Sequence, residues 1–296
     1  MCGEPERKAF AYAFYATDDT YAIAVIVLAR LLRQLGVGPG IGFVVVHLPL
    51  APPILAAMAQ MGMTTIAVPR PPQTRHWYFR DCLVKLRILL LTQYERVIYL
   101  DADSLPLKSF DDLFSLPFDG AIAAPPALWV RRPWFTTLMM MIKPSESLWQ
   151  RAERHFPALQ ETGFYDGNII NEEFGPEIFP LPDTTIAPNS YWADAQKETP
   201  LGMPDRLPKE IRLVHFYDLG KPWRHHPDRV PGLRPKAHPA FAEQRRAWWQ
   251  ERERLIAESP PALRRVLIRR KALDRTALPK LYKRSRYRLE RVLGAL

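Results

Sequence analysis

The chain has 296 residues, 47% of them hydrophobic and 24% charged, a balance that excludes wholesale disorder and suits one large domain or one domain with an extension. Its most apolar stretch, Tyr21 to Ala29, is cut by Arg30 well short of the roughly 18 residues that span a membrane, and Met1 to Pro5 shows no secretory leader. Two cysteines, Cys2 and Cys82, can form neither a disulfide framework nor a four-thiolate metal knuckle, so a cytoplasmic setting is expected.

In chain order, Lys8 to Ala16 reads as an apolar strand, and Asp18 or Asp19 caps an apolar helix over about Thr20 to Leu35 that stops at Gly36. Ile41 to Leu48 is a second strand, Pro52 to Met61 a short helix with a proline start, and Thr64 to Val68 a third strand. A helix is expected over about Arg80 to Leu91, followed by the strand Arg96 to Asp101. That strand is continuously apolar, as in a mostly parallel sheet covered on both faces. The pattern gives an α/β fold, doubly wound in its first half. Further strands are expected near Ala121 to Ala124, Thr137 to Ile142 and Ile211 to Phe216, with helices from Ser145 and near Asn168 to Phe174. The 30 prolines of the chain imply long ordered loops between residues 125 and 240.

Chemistry concentrates at strand ends. Val97 to Leu100 runs into Asp101-Ala102-Asp103, and in open α/β sheets ligands bind beyond the carboxyl ends of strands. Two carboxylates one residue apart can share a hard cation, whose shell is then completed by phosphates and water; equally, Asp101 can cap the following turn and Asp103 can be solvated. His215 ends another expected strand, and Lys221 follows in a loop bounded by Gly220 and Pro222. An imidazole third ligand favours Mn²⁺ over Mg²⁺, and a lysine suits a diphosphate. The plainer reading is a hydrogen-bonded core histidine and a surface lysine.

Together, Thr17-Asp18-Asp19-Thr20-Tyr21, Lys85-Leu86 with Leu91-Thr92-Gln93-Tyr94, Asp101-Ala102-Asp103, and His215-Phe216 with Lys221-Pro222-Trp223 resemble the glycogenin-like glycosyltransferases of family 8 over about residues 9 to 225. The resemblance implies a GT-A fold, a nucleotide-sugar donor such as a UDP-sugar, Mn²⁺ (or Mg²⁺), and transfer with retention. It implies Asp101, Asp103 and His215 as metal ligands. Donor contacts would come from Thr17, Asp18, Tyr21, Arg80, Asp101, Ala102, Asp103, Gly220 and Lys221. Lys85 would lie near the donor phosphates or sugar, and Asp166 would touch the transferred sugar. Of Arg75 and Arg80, the latter sits nearer the expected helix start. Thr136-Thr137-Leu138, Gly167-Asn168 and Asp218 depart from the family pattern around the sugar and acceptor.

The formal charge of +10 is unevenly placed: residues 241–296 hold 16 Lys and Arg against 6 Asp and Glu, whereas residues 1–240 hold 25 of each. A catalytic domain over 1–240 and a basic helical extension over 241–296 are therefore expected. Phe241, Trp248, Trp249, Leu255 and Ile256 make one helical stripe interleaved with arginines, and Lys283 to Arg291 adds more charge. Such a helix fits an anionic membrane, where each basic residue contributes about 1 kcal/mol; alternatively the tryptophans pack on the domain. No nucleic-acid motif accompanies the charge, so no nucleic-acid partner is expected. The expected enzyme acts on a glycan or glycolipid at the cytoplasmic face of a membrane. A glycogenin-like self-glucosylating primer, for which Tyr191 and Tyr217 are conceivable acceptors, and a non-catalytic scaffold that kept the fold are the alternatives.

Overall fold

The computed structural model describes residues 9–75, 77–130, 133–207 and 209–273. Cys2, Lys8 and the basic segment Lys283 to Arg291 lie outside the described residues.

The chain opens with β1 (Phe10–Ala16), α1 (Asp19–Gln34), β2 (Ile41–His47), α2 (Pro52–Gln60) and β3 (Met63–Ala67). α1 begins where Asp18, in extended backbone, accepts the amides of Thr20 and Tyr21 at 2.6 and 3.1 Å, which satisfies donors that a helix start leaves unpaired. It ends at Gly36, whose φ of +82° is open to glycine at little cost. α3 (Trp77–Arg80) runs into Asp81–Leu90, which winds as a 3₁₀ helix instead of the α-helix expected over 80–91. The three-residue repeat aligns Leu83, Leu86 and Leu89 as one buried ridge and sets Lys85 and Ile88 on the next.

After β4 (Arg96–Leu100) and β5 (Ser104–Pro106) come β6 (Ile122–Ala124), β7 (Met139–Ile142), α4 (Glu146–Glu153), α5 (Leu159–Thr162) and α6 (Asp166–Phe174). β8 (Phe179–Pro180), β9 (Ile186–Pro188), β10 (Leu213–His215), α7 (Val230–Leu233), α8 (Pro239–Glu258) and α9 (Pro261–Leu273) follow. The main sheet has the order β3-β2-β1-β4-β7-β6-β8. Its first four strands are parallel, and β7 is antiparallel to both β4 and β6. The chain leaves β1 toward β2 and β3 and returns on the other side as β4, so the carboxyl ends of β1 and β4 flank the point where strand order reverses.

Alternation along the strands divides the core. Tyr12, Phe14, Ile98 and Leu100 pack with α1, α2 and α8, whereas Ala13, Tyr15, Val97 and Tyr99 pack with residues 83–89, α4 and α6. A second sheet, β5-β10-β9, lies beyond the end of β4, with β10 antiparallel to β5 and parallel to β9. Only its β10 strand is expected from the sequence, because three-residue strands carry no periodic signal.

The stripe expected to face a membrane is buried here. Phe241, Trp248, Trp249 and Leu255 share one core with the strands and α1, and Arg245 is 0% exposed, so this face of α8 is not solvated. Glu251, also buried, accepts from Arg30 and, at 2.7 Å, from Gln34, both on α1. α8 starts at Pro239, ahead of the expected division at 240/241, and joins the same packing. No helix among the described residues is long and apolar enough to cross a membrane.

Candidate active site

Strand register brings the three expected metal ligands together. Asp101 leaves β4 with its amide donating to the Leu138 carbonyl at 2.9 Å, and Asp103 directly precedes β5. His215 stands opposite Ser104 in the β5–β10 pair, and the Phe216 amide donates to the Asp103 carbonyl at 3.0 Å. Asp101, Asp103 and His215, all buried, each offer one ligand atom within 4.8 Å of the others. His215 Nε2 is 3.1 Å from Asp103 Oδ2 and 3.9 Å from Asp101 Oδ2. Two carboxylates and an imidazole form a donor set that suits Mn²⁺, and the buried His215 Nδ1 has no hydrogen-bond partner.

Two lysines bracket the cluster. Lys85 Nζ lies 2.8 Å from Asp166 Oδ2, 3.3 Å from Asp101 Oδ1 and 3.0 Å from the Thr137 carbonyl. The rings of Tyr15 and Tyr99 stand 5.7 and 5.1 Å from the same ammonium. Burial works against that charge, but Asp101 and Asp166 outweigh it and hold Lys85 above its usual range. Lys221, reaching in from the loop after β10, pairs with Asp103 Oδ2. Three carboxyl groups thus meet two ammonium groups around the point where a cation would sit.

The two carboxyls of the cluster respond differently. Burial, with Asp103 nearby, pushes Asp101 above the usual carboxylate range despite the pull of Lys85 and His215. For Asp103 burial acts the same way, yet Lys221 and His215 overcome it and hold the group far below that range. Tyr99, two residues before Asp101 and near the end of β4, donates its hydroxyl to Asp101 Oδ1. Burial pushes the thiol of Cys82 up to about 12, with Asp166 adding to the effect, so this cysteine stays protonated.

The β1 end supplies the other wall. Tyr21, in the first turn of α1, meets Trp223 edge to face at 5.3 Å and lies 5.9 Å beneath Lys221 Nζ. Asp18 is spent on capping α1, and Thr17 is half-buried between β1 and that cap. Ala102 is buried between the two carboxylates. Arg80 does not join the cluster through its described hydrogen bond, which runs from Nε to the Pro71 carbonyl at 2.7 Å. Gly220 has a φ of +68°, and a Cβ there would meet Arg224 Cδ at 3.0 Å.

No family model matches the chain. Glucose N-acetyltransferase 1 of Aspergillus fumigatus is 30% identical over 164 residues, 48% of this chain and 42% of that protein. Glycogenin of Komagataella phaffii is 28% identical over 187 residues, 58% of this chain and 44% of that protein. An active-site mutant of LgtC shares the fold, with a TM-score of 0.60 at 18% identity over 80% of this chain and 94% of that one. Together these similarities support a glycogenin-like family 8 glycosyltransferase. Its architecture is the GT-A fold. The chain spans less than half the length of these two curated relatives.

Among the departures from the family pattern, Thr137 joins the cluster. Thr137 Oγ1 donates to Asp166 Oδ2 at 2.8 Å. Asp166 opens α6, where the helix N-terminus favours a negative side chain. Gly167 lies under Tyr165: an added Cβ would stand 2.8 Å from Tyr165 Cε2, and that ring stacks on Phe79 at 4.9 Å. Tyr15, Tyr99 and Thr137 escape the sequence reading as site residues. Thr137 was visible there only as a departure, and the tyrosines only as apolar strand positions. Of the two conceivable acceptor tyrosines, Tyr191 is buried and Tyr217 is exposed.

Proposed function

We propose that this protein is a metal-dependent retaining glycosyltransferase of family 8 that moves a hexose from a UDP-sugar to a glycan, glycolipid or protein acceptor. The observation that carries the reading is the convergence of Asp101, Asp103 and His215 on one point, flanked by Lys85 and Lys221, at the strand-order reversal of a GT-A sheet. Mn²⁺, or Mg²⁺, held by those three residues would supply positive charge against a departing diphosphate.

The remaining roles belong to the chain's own side chains. Lys221 brings a cation to the phosphate oxygens. Tyr21 offers a ring to the base, and Thr17 and Asp18 border the ribose. Asp166 faces the transferred sugar and stabilises the positive charge that develops on it. Because Lys85 and Thr137 both engage Asp166 Oδ2, this carboxylate suits electrostatic support better than covalent attack. Same-face attack by the acceptor hydroxyl, with its proton passing to the leaving diphosphate, follows. Work at the cytoplasmic face of a membrane is part of the proposal, with exposed basic residues such as Arg246 and Arg265 as the lipid contact in place of the buried stripe.

The test is UDP release from a panel of UDP-sugars with and without Mn²⁺. Metal-dependent release from at least one sugar is expected, and Asp103→Ala abolishes it. A folded protein that releases UDP from none of them refutes the enzyme reading.

A further inference from the structure

The loop that carries Lys221 is gripped from behind by α8. Arg245 Nη1 donates to the carbonyls of Lys221 and Pro222 at 2.9 Å each, and Nη2 to those of Asp218 and Gly220 at 3.3 Å each. One turn along, Trp249 Nε1 donates to the Pro222 carbonyl at 2.9 Å. On the other side Asn189 Oδ1 accepts the amides of Tyr217 and Asp218 at 2.8 Å each. Four carbonyl oxygens turned onto one planar guanidinium fix the peptide planes from 218 to 222, a geometry that a lysine ammonium cannot reproduce.

Two features show that this loop needs holding. Leu219 and Gly220 both lie in the left-handed region, at φ of 57° and 68°, and a leucine stays there only when its surroundings impose it. Arg245 is also wholly buried, where loss of water pulls its pKa down to about 10 against the weaker effect of Asp218. Burying an arginine on neutral carbonyls, with the Phe216 ring 5.3 Å from its guanidinium, is an expensive way to attach a helix. An apolar side chain in the same stripe would do that with less desolvation.

We propose that Arg245 is a positioning residue for the donor site: by gathering the carbonyls of residues 218–222 it sets the backbone from which Lys221 reaches the diphosphate. This rests on the reading under Proposed function and extends it to a residue of the basic carboxyl-terminal region. Arg245 acts through Lys221, so its effect falls on ligands that carry a diphosphate and spares the nucleoside.

The experiment is calorimetric titration of UDP and of uridine into the full-length protein with Mn²⁺, for wild type, Arg245→Met, Arg245→Lys, Lys221→Ala and Lys221→Ala/Arg245→Met. Arg245→Met is expected to weaken UDP by about tenfold or more, the worth of a charge-assisted contact, and to leave uridine within about twofold. Arg245→Lys falls between it and wild type. On the Lys221→Ala background, Arg245→Met adds less than about a twofold further loss, the sign of two residues acting as one. Equal weakening of UDP and uridine, or an undiminished effect on that background, overturns the proposal. Should Arg245→Met not fold, Arg245→Lys carries the same comparison. Wild type that binds no UDP refutes the functional reading and this one with it. Wild type that binds UDP while the Arg245 variants match it refutes this one alone.

Discussion

Replacing Trp248 with alanine separates the two roles open to the carboxyl-terminal stripe. Trp248 is 1% exposed and lies between Trp223, at 5.9 Å, and Trp249, at 6.3 Å; Trp223 in turn meets Tyr21 at the first turn of α1. Emptying such a site removes transfer free energy and leaves a cavity, together about 3–5 kcal/mol. Against the roughly 5–15 kcal/mol that stabilises an ordinary domain, this is a large share. With a slope near about 3 kcal/mol per molar, the urea midpoint by circular dichroism should fall by about 1–1.7 M. Arg246→Ala, on the exposed face of the same helix, should stay within about 0.5 kcal/mol of wild type. If Trp248→Ala instead unfolds within about 1 kcal/mol of wild type and loses binding to anionic vesicles, the stripe faces lipid and the packing argument is wrong.

Lys85→Met keeps the length of the side chain but leaves Asp101 and Asp166 buried without their shared ammonium. Urea unfolding should show a loss of about 3–5 kcal/mol, partly restored by adding Asp166→Asn, because an uncompensated buried charge costs more than the absent pair; equal losses in both proteins would contradict this. Gly167→Ala should cost about 1–3 kcal/mol through the clash with Tyr165. Adding Tyr165→Ala should relieve that increment, and a double-mutant cycle showing simple additivity would count against it.

The first half of the fold was legible because its strands are apolar from end to end and its helices carry their own punctuation. Asp18 caps α1 as its sequence position implies, and Gly36 ends it. Asp101, Asp103 and His215 were readable as chemistry, since each lies at or just past the end of an apolar run. Their meeting was not readable, because it depends on the pairing of β5 with β10, two strands of three residues each. Arg80 shows the limit of placing a residue by its distance from a helix start: it is turned to the Pro71 carbonyl. The helix expected over 80–91 was misjudged in type because buried leucines spaced by three serve a 3₁₀ ridge as well as an α-helical face. In α8 the signal was present and misweighed. Arg245 and Arg252 fall on the same face as Phe241, Trp248 and Leu255, and arginines inside an apolar stripe mark burial against backbone rather than a lipid-facing surface.

The pairing of Ser104 with His215 has an evolutionary corollary. The Asp101, Asp103 and His215 cluster is closed by a short zipper between distant parts of the chain, and a slip of one residue would swing the imidazole to the opposite side. Loops strung between the two strands can lengthen, shorten or change composition without disturbing that zipper. The intervening segments are therefore free to drift while the Asp101, Asp103 and His215 cluster stays fixed, which gives such a scaffold room to diversify.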